Sequence, residues 1–206
     1  MYKKYIKRLL GFVISLIVSV FFLPFMLIVA VIIKIDSPGS AFFIQKRVGI
    51  NKTHFNMIKF RTMRTDAPKE TPTHLLANPD RYISRFGRLA RKISLDETPQ
   101  ILHILTGKMS IIGPRPALWN QYDLINERDK YGANDIKPGL TGWAQINGRD
   151  ELPIEVKAKY DGEYVEKISF IFDCKCFFGT IVSVIRRDGI VEGGSNKSEE
   201  DTNYRS

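Results

Sequence analysis

Cysteine is nearly absent from this sequence: two in 206 residues, Cys174 and Cys176, a single residue apart. That spacing makes a mutual disulfide awkward, and two thiols alone do not make a zinc site. Nothing requires an oxidising compartment, so both are read as reduced thiols facing the cytoplasm. Histidine is as scarce, with three residues (His54, His74, His103) in no metal-ligand spacing. They are read as structural or surface residues. Neither the phosphate-cradling P-loop nor the dinucleotide fingerprint occurs. Acids are outnumbered, 22 against 31 Lys and Arg, giving a net charge of +9. Such a chain suits a polyanion, whether nucleic acid, an anionic membrane face or a phosphate-bearing substrate.

Charge is itself missing from one long stretch, Leu9–Ile33. This run favours the membrane reading over nucleic acid. It is too long for a signal-peptide core and has no small-residue cleavage site, so it is expected to stay. Two features speak against a simple transmembrane helix. Pro24 lies mid-run, where it removes a backbone donor and crowds the carbonyl of Val20. Both flanks are basic (Lys3, Lys4, Lys7 and Arg8 before; Lys34, Lys46, Arg47 and Lys52 after), which the positive-inside rule places in the cytoplasm. From Leu9 to Leu23 a helix covers only about 22 Å, short of a ~30 Å hydrocarbon core. A re-entrant hairpin, entering one leaflet and bending at Pro24, satisfies both flanks. Ser15 or Ser19 can serve the freed carbonyls. A kinked transmembrane helix is the alternative.

Ser37-Pro38-Gly39-Ser40 closes this segment as a turn. Residues 41–48 and 54–63 read as a β-hairpin around Gly49–Lys52. On its second strand Lys59 and Arg61 share a face, which suits phosphate, although a solvated edge strand fits the same residues. Residues 65–80, with Pro68, Pro72 and Pro79, read as a loop. Residues 81–92 form a basic helical stretch leading into Ser94-Leu95-Asp96-Glu97-Thr98-Pro99-Gln100. Thr98 as cap with Pro99 in the first turn predicts a helix over 100–105; Ser94 with Glu97 as a capping box is the competing frame. Either frame puts Asp96 and Glu97 near a helix N-terminus, which favours anions. Adjacent carboxylates repel, so ionising both requires cations, for which Arg91 and a divalent metal are candidates. An ionised Asp is a nucleophile toward phosphorus. A capping Glu97 beside a solvent-facing Asp96 is the plainer reading of the pair.

Gly113-Pro114-Arg115-Pro116 holds one Arg in a stiff extended loop, suited to bidentate contact with phosphate. Pro138-Gly139-Leu140-Thr141-Gly142 and Gln145-Ile146-Asn147-Gly148-Arg149 form another rigid patch, whose glycines allow backbone close to a ligand. Residues 155–165 are expected to form an amphipathic helix. Residues 170–185 form an apolar helix that fits the headgroup plane or a core equally. Residues 193–206 are polar, and disorder is expected there. The expected fold is α+β and mainly helical: a membrane anchor over 1–36, a domain over 37–192 with a small β-hairpin and interfacial amphipathic helices, and a tail over 193–206.

The membrane segment with its proline, Lys59-Phe60-Arg61-Thr62-Met63, Ser94–Gln100, Met109–Pro116, Pro138–Gly142 and Gln145–Arg149 together resemble the bacterial sugar transferase family. Within it, the chain resembles the small monotopic phosphoglycosyl transferases. The resemblance extends to about Gly194. It implies that a UDP-sugar gives its phospho-sugar to Asp96, releasing UMP, and that undecaprenyl phosphate then attacks this covalent intermediate. It also implies Asp96 as a Mg²⁺ ligand and Glu97 as the residue that deprotonates or orients the acceptor. Lys59, Arg91, Arg115 and Arg149 would hold phosphate or nucleotide, and Asp173 matches a further acidic position. An N-acetylated amino-deoxy sugar, membrane lipids as partners and a catalytic domain on the cytoplasmic face of the plasma membrane follow from the family, with no role for nucleic acid. Family members often carry Ser before the membrane proline; here it is Leu23. A non-enzymatic membrane tether for a polyanion explains the charge and the apolar run, but not Asp96-Glu97 or the Gly-Pro-Arg-Pro loop. A metal-dependent glycosyltransferase would release UDP instead of UMP.

Overall fold

The computed structural model describes residues 1–68, 78–148 and 152–186. Its longest element is apolar: a π-helical turn, Tyr2–Ile6, runs into α1, Lys7–Asp36. The expected hairpin is not seen as two separate helices, because α1 is assigned as helix on both sides of Pro24. One proline costs a helix a single donor and a steric clash, which need not end it. Neither candidate serine serves the carbonyl of Val20. The Ser15 hydroxyl donates to Phe12 O at 3.0 Å, and Ser19 Oγ is buried with no partner among the described residues. Gly11, Ser15, Met26, Val29 and Ile33 are buried, whereas most of the apolar side chains between Leu16 and Phe25 are exposed.

Both ends of α1 are fastened to the rest of the chain. The Lys7 ammonium donates to Tyr164 Oη at 2.5 Å and forms an ion pair with Asp173, while Asp36 Oδ2 accepts the Phe86 N–H at 3.2 Å. After α1 the chain turns through Ser37–Gly39, and Arg61 locks that turn by donating to the carbonyls of Pro38 (2.7 Å) and Ser37. Gly39 sits at φ +117°, and an added Cβ would stand 2.4 Å from the Arg61 guanidinium. Arg61 is therefore buried and committed to backbone carbonyls, not to the face it was expected to share with Lys59.

Strands β1 (Phe42–Val48) and β2 (His54–Phe60) form the expected antiparallel hairpin, in register Phe42 opposite Phe60. One face carries Phe43, Gln45, Arg47 and Lys59. On the other, Phe60 packs with Met26, Val29, Ile33 and Ala41 to join the apolar helix α1 to the domain. β2 ends at Phe60, short of residue 63, because Arg61 turns toward Ser37.

Helix α2 (Arg85–Lys92) begins at Ser84, whose Oγ accepts the Gly87 N–H at 3.0 Å. Leu95–Gln100 then forms a 3₁₀ helix continuous with the short α3, Ile101–Leu105. Neither predicted cap forms. Ser94 is left-handed (φ +55°) with no side-chain cap bond, and the Thr98 hydroxyl bonds back to Leu95 O at 2.8 Å. Asp96 and Glu97 nevertheless lie at a helix N-terminus, as both frames required, here in the first turn of the 3₁₀ helix.

The Gly-Pro motifs meet. β3 (Ser110–Ile112) pairs in parallel with β4 (Gly139–Thr141), a pairing the sequence did not announce. Cβ atoms added at Gly139 and Gly142 would stand 2.1 Å from Gly113 N and 2.2 Å from Gly113 O. These glycines allow backbone against backbone. Helices α4 (Tyr122–Asp129), α5 (Trp143–Ile146), α6 (Ile154–Lys167) and α7 (Phe170–Arg186) complete the described residues. α6 and α7 match the two expected helices. α7 buries Asp173 and Cys176 while exposing Phe170, Ile171, Phe178 and Ile185. The 193–206 tail lies outside the described residues.

Arg128 of α4 and Asp161 of α6 form a buried ion pair, N–O 2.6 Å, with side chains 4% and 1% exposed. The same guanidinium donates to the backbone carbonyl of Arg115 at 2.9 Å. Removing one partner of such a pair leaves a buried charge uncompensated. Asp161→Ala is expected to lower unfolding stability by about 3–5 kcal/mol, measured by chemical denaturation, and Arg128→Met/Asp161→Leu to recover most of that loss.

Candidate active site

Four elements converge on the carboxylate pair. Glu97 takes the cations: its Oε1 accepts Lys59 Nζ at 2.8 Å and an Arg115 guanidinium N–H at 2.6 Å, and its Oε2 accepts a second Arg115 N–H at 3.3 Å. Burial works against this carboxylate's charge. Arg115 and Lys59 outweigh it, holding Glu97 well below the usual carboxylate range. Lys59 is pushed down by burial and by the Arg115 charge, and Glu97 and Asp96 oppose that shift. Only the opposite charges in the cluster favour one another's ionised forms.

Asp96 is left over. Its carboxylate makes no hydrogen bond to any described residue and lines a pocket of about 420 Å³ with Lys59, Arg91, Arg47, Arg64 and Phe43. Burial and the adjacent Glu97 charge raise its pKa to about 6, against the pull of Lys59, Arg91 and Arg115. Arg91 comes from the last turn of α2, and its Nε donates to Thr62 Oγ1 at 2.8 Å. Arg115 is positioned by its backbone: Gly113 N–H donates to Thr141 O and Gly139 N–H to Pro114 O, each at 2.8 Å. Arg128 holds its carbonyl.

Lys59, Arg91, Asp96, Glu97 and Arg115 are thus brought together. Asp173 is not at this pocket. It accepts from Tyr164 Oη (2.6 Å), Tyr2 Oη (2.5 Å) and Lys7, fastening the start of the apolar helix α1 to α7. Arg149 lies outside the described residues. Two pocket residues escaped a role in the sequence reading. Arg47 entered it only as a basic flank, yet it donates to Pro116 O (2.9 Å) and Gln45 Oε1 (2.6 Å); its place on the Lys59 face of the hairpin was the available signal. Thr62, which orients Arg91, gave none.

Among the described residues no three His, Cys, Asp or Glu cluster as metal ligands. A divalent ion of magnesium type needs only one or two protein carboxylates when substrate phosphates and water supply the rest. Asp96, whose lone pairs are open, fits that role; Glu97, already accepting three N–H bonds, does not.

The raised Asp96 pKa fixes the sign of a pH effect. Between about pH 4.5 and 6 the folded protein holds a proton on Asp96 that the unfolded chain has released. In this window the contribution of Asp96 to stability falls as pH rises. Asp96→Asn is expected to flatten that slope and to raise stability at pH 7.5, in the absence of divalent ions, by on the order of 1–3 kcal/mol. Thermal unfolding across that pH range measures both.

A family model for bacterial sugar transferases matches residues 2–187. The chain is 40% identical over 163 residues to the sugar transferase EpsL of Bacillus subtilis, covering 79% of this chain and 78% of that protein. It is 41% identical over 171 residues to the UDP-glucose:undecaprenyl-phosphate glucose-1-phosphate transferase of Xanthomonas campestris, covering 79% of this chain but only 35% of the longer relative. The UDP-N-acetylgalactosamine-undecaprenyl-phosphate N-acetylgalactosaminephosphotransferase of Aeromonas hydrophila is 32% identical over 189 residues, covering 88% of this chain and 44% of that one. A match spanning the helix that carries Lys7, the Asp96-Glu97 turn and the Arg115 loop alike places the whole described chain, not one motif, in the bacterial sugar transferase family, the phosphoglycosyl transferases.

Proposed function

We propose that this transferase moves a phospho-sugar from a UDP-sugar to undecaprenyl phosphate through a covalent Asp96 intermediate. The observation that carries this reading is the unbonded Asp96 carboxylate in a pocket lined by Lys59, Arg47 and Arg91, within reach of the Arg115 charge. The names of the Xanthomonas and Aeromonas relatives supply the substrate classes.

Asp96 attacks the sugar-bearing phosphorus of the donor. The phosphoanhydride bond breaks, UMP leaves with its electron pair, and an aspartyl phospho-sugar remains. A phosphate oxygen of the acceptor lipid then attacks the same phosphorus and displaces Asp96, giving the polyprenyl diphosphate sugar. Such transfers are driven mainly by positioning and charge neutralisation, which explains many cations around few acids. Glu97 keeps Lys59 charged and Arg115 aimed before substrate arrives, and orienting the acceptor phosphate through these two cations is its proposed part. A magnesium ion held by Asp96 and the donor phosphates would neutralise diphosphate charge.

The fastening of α1 supports a re-entrant, monotopic membrane segment. A helix that crossed a bilayer would carry one end to the far side, yet the Lys7 and Asp36 ends are bonded to one domain, with an exposed apolar stretch between them. Basic residues on both flanks support a cytoplasmic face for that domain. The sugar is proposed to be an N-acetylated amino-deoxy sugar, in keeping with the Aeromonas relative, with the glucose of the Xanthomonas relative as the alternative.

Asp96→Asn is expected to reduce UMP release from UDP-sugar and polyprenyl phosphate at least about a thousandfold with folding retained. Unchanged turnover would remove Asp96 as nucleophile; no UMP release from the wild-type protein would leave the polyanion-tether reading in its place, and release of UDP would identify a different reaction. Arg115→Lys, which loses the two-pronged contact, is expected to cost roughly a hundredfold in the same assay.

A further inference from the structure

A second and larger cavity, about 860 Å³, opens where the apolar run of α1 begins and shares no lining residue with the Asp96 pocket. Its floor is apolar and buried: Ile104, Met109 and Ile112, with Phe12 at one side. Its rim is cationic. Arg8 and Lys137 both lean over Gly107, a turn glycine at φ +73°, where an added Cβ would stand 3.4 Å from the Lys137 ammonium and 3.9 Å from the Arg8 guanidinium. Neither cation has an ion pair or hydrogen bond among the described residues. Lys137 is pushed down by burial and by the Arg8 charge. The other charged groups at the cavity are Lys3, Lys4, Lys7 and the exposed Asp135, and Lys7 is already paired with Asp173.

Two adjacent cations with no acid bonded to either among the described residues call for an anion. Apolar walls beneath them, in a volume typical of a sizeable organic ligand, call for hydrocarbon attached to it. Arg8 immediately precedes the uncharged run from Leu9, so the rim stands where headgroups meet acyl chains. The geometry points to a binding site for an acidic glycerophospholipid of the bilayer, its phosphate between Arg8 and Lys137 and an acyl chain along Ile104, Met109 and Ile112. This lipid is a resident partner that seats the start of the membrane helix, not a reactant. The acceptor lipid of the proposed reaction would have to present its phosphate to Asp96, in the other pocket.

The test follows thermal unfolding of the full chain in a non-ionic detergent while phosphatidylglycerol, phosphatidylcholine, inorganic phosphate or polyprenyl phosphate is added. Phosphatidylglycerol is expected to raise the midpoint saturably, phosphatidylcholine and inorganic phosphate not at all. Arg8→Gln/Lys137→Gln is expected to need about thirtyfold more phosphatidylglycerol for the same shift, about fivefold for each cation at an anionic lipid surface. Lys137→Gln alone, about fivefold, serves if the double variant does not unfold cooperatively. Asp96→Asn keeps the wild-type shift whether or not Asp96 is the nucleophile, so this result stands apart from the fate of the proposed reaction. An equal shift with phosphatidylcholine, a shift with inorganic phosphate alone, or an unchanged response in the cation variants overturns the site. Displacement of phosphatidylglycerol by polyprenyl phosphate would assign the cavity to the acceptor and also overturn it.

Discussion

Two carboxylates adjacent in sequence cannot share one set of cations equally, and the described structure is organised around that inequality. Like charges a few ångströms apart repel by a few kcal/mol even at an effective dielectric of about 20. Glu97 resolves the conflict by taking Lys59 and both prongs of Arg115, so its ionisation is secured. Asp96 feels the same cations at longer range and has Glu97 beside it, so its charge is held only weakly. A pair of identical chemistry becomes one fixed counter-ion and one carboxylate free to bond to something else. This is the familiar pattern in which two environments split the roles of two acids.

That division depends on Arg115 arriving at a fixed place, and its support is backbone. The parallel β3–β4 pairing brings three glycines together so closely that a methyl group at Gly113, Gly139 or Gly142 would collide with main-chain atoms. The loop is therefore stiff because of what it packs on as well as because of its prolines. Arg128, itself neutralised by Asp161, then holds the Arg115 carbonyl. A buried pair of this kind is weak evidence of stability gained, since desolvating two charges offsets most of their attraction. Its value here lies in direction: it joins α4, α6 and the Arg115 loop at one point.

What the sequence disclosed was local. The apolar run, the hairpin and the two last long helices are written in period and composition. The Asp96-Glu97 turn and the Gly-Pro-Arg-Pro loop are written in residue types that restrict the backbone. What it hid was long-range. Strands of three residues carry no readable alternation, so β3 and β4 passed as loop. Arg128 and Asp161 sit on charged helices where any one residue passes as solvated. Ser84 caps α2, but nothing in the basic stretch over 81–92 marked where its helix begins. The left-handed Ser94 defeated the expected caps. Asp173 and its partner Lys7 are 166 residues apart, so no spacing argument joins them.

Lys59 shows why the cluster has to be closed by an acid before any substrate arrives. Its side chain is only 14% exposed, and burial beside Arg115 drives an ammonium toward its neutral form. A neutral Lys59 would be useless to a phosphate. Glu97 opposes that tendency, because a carboxylate at 2.8 Å in a sparingly hydrated site recovers much of what desolvation costs. The resident carboxylate and an incoming phosphate thus compete for the same cations. The competition is useful because a phosphate bears more charge and more acceptor oxygens than a carboxylate. The site keeps its cations charged while empty and can still release them to a better anion. A pocket lined with cations alone would discharge its most buried member, and one with two firmly paired acids would leave no carboxylate free to react.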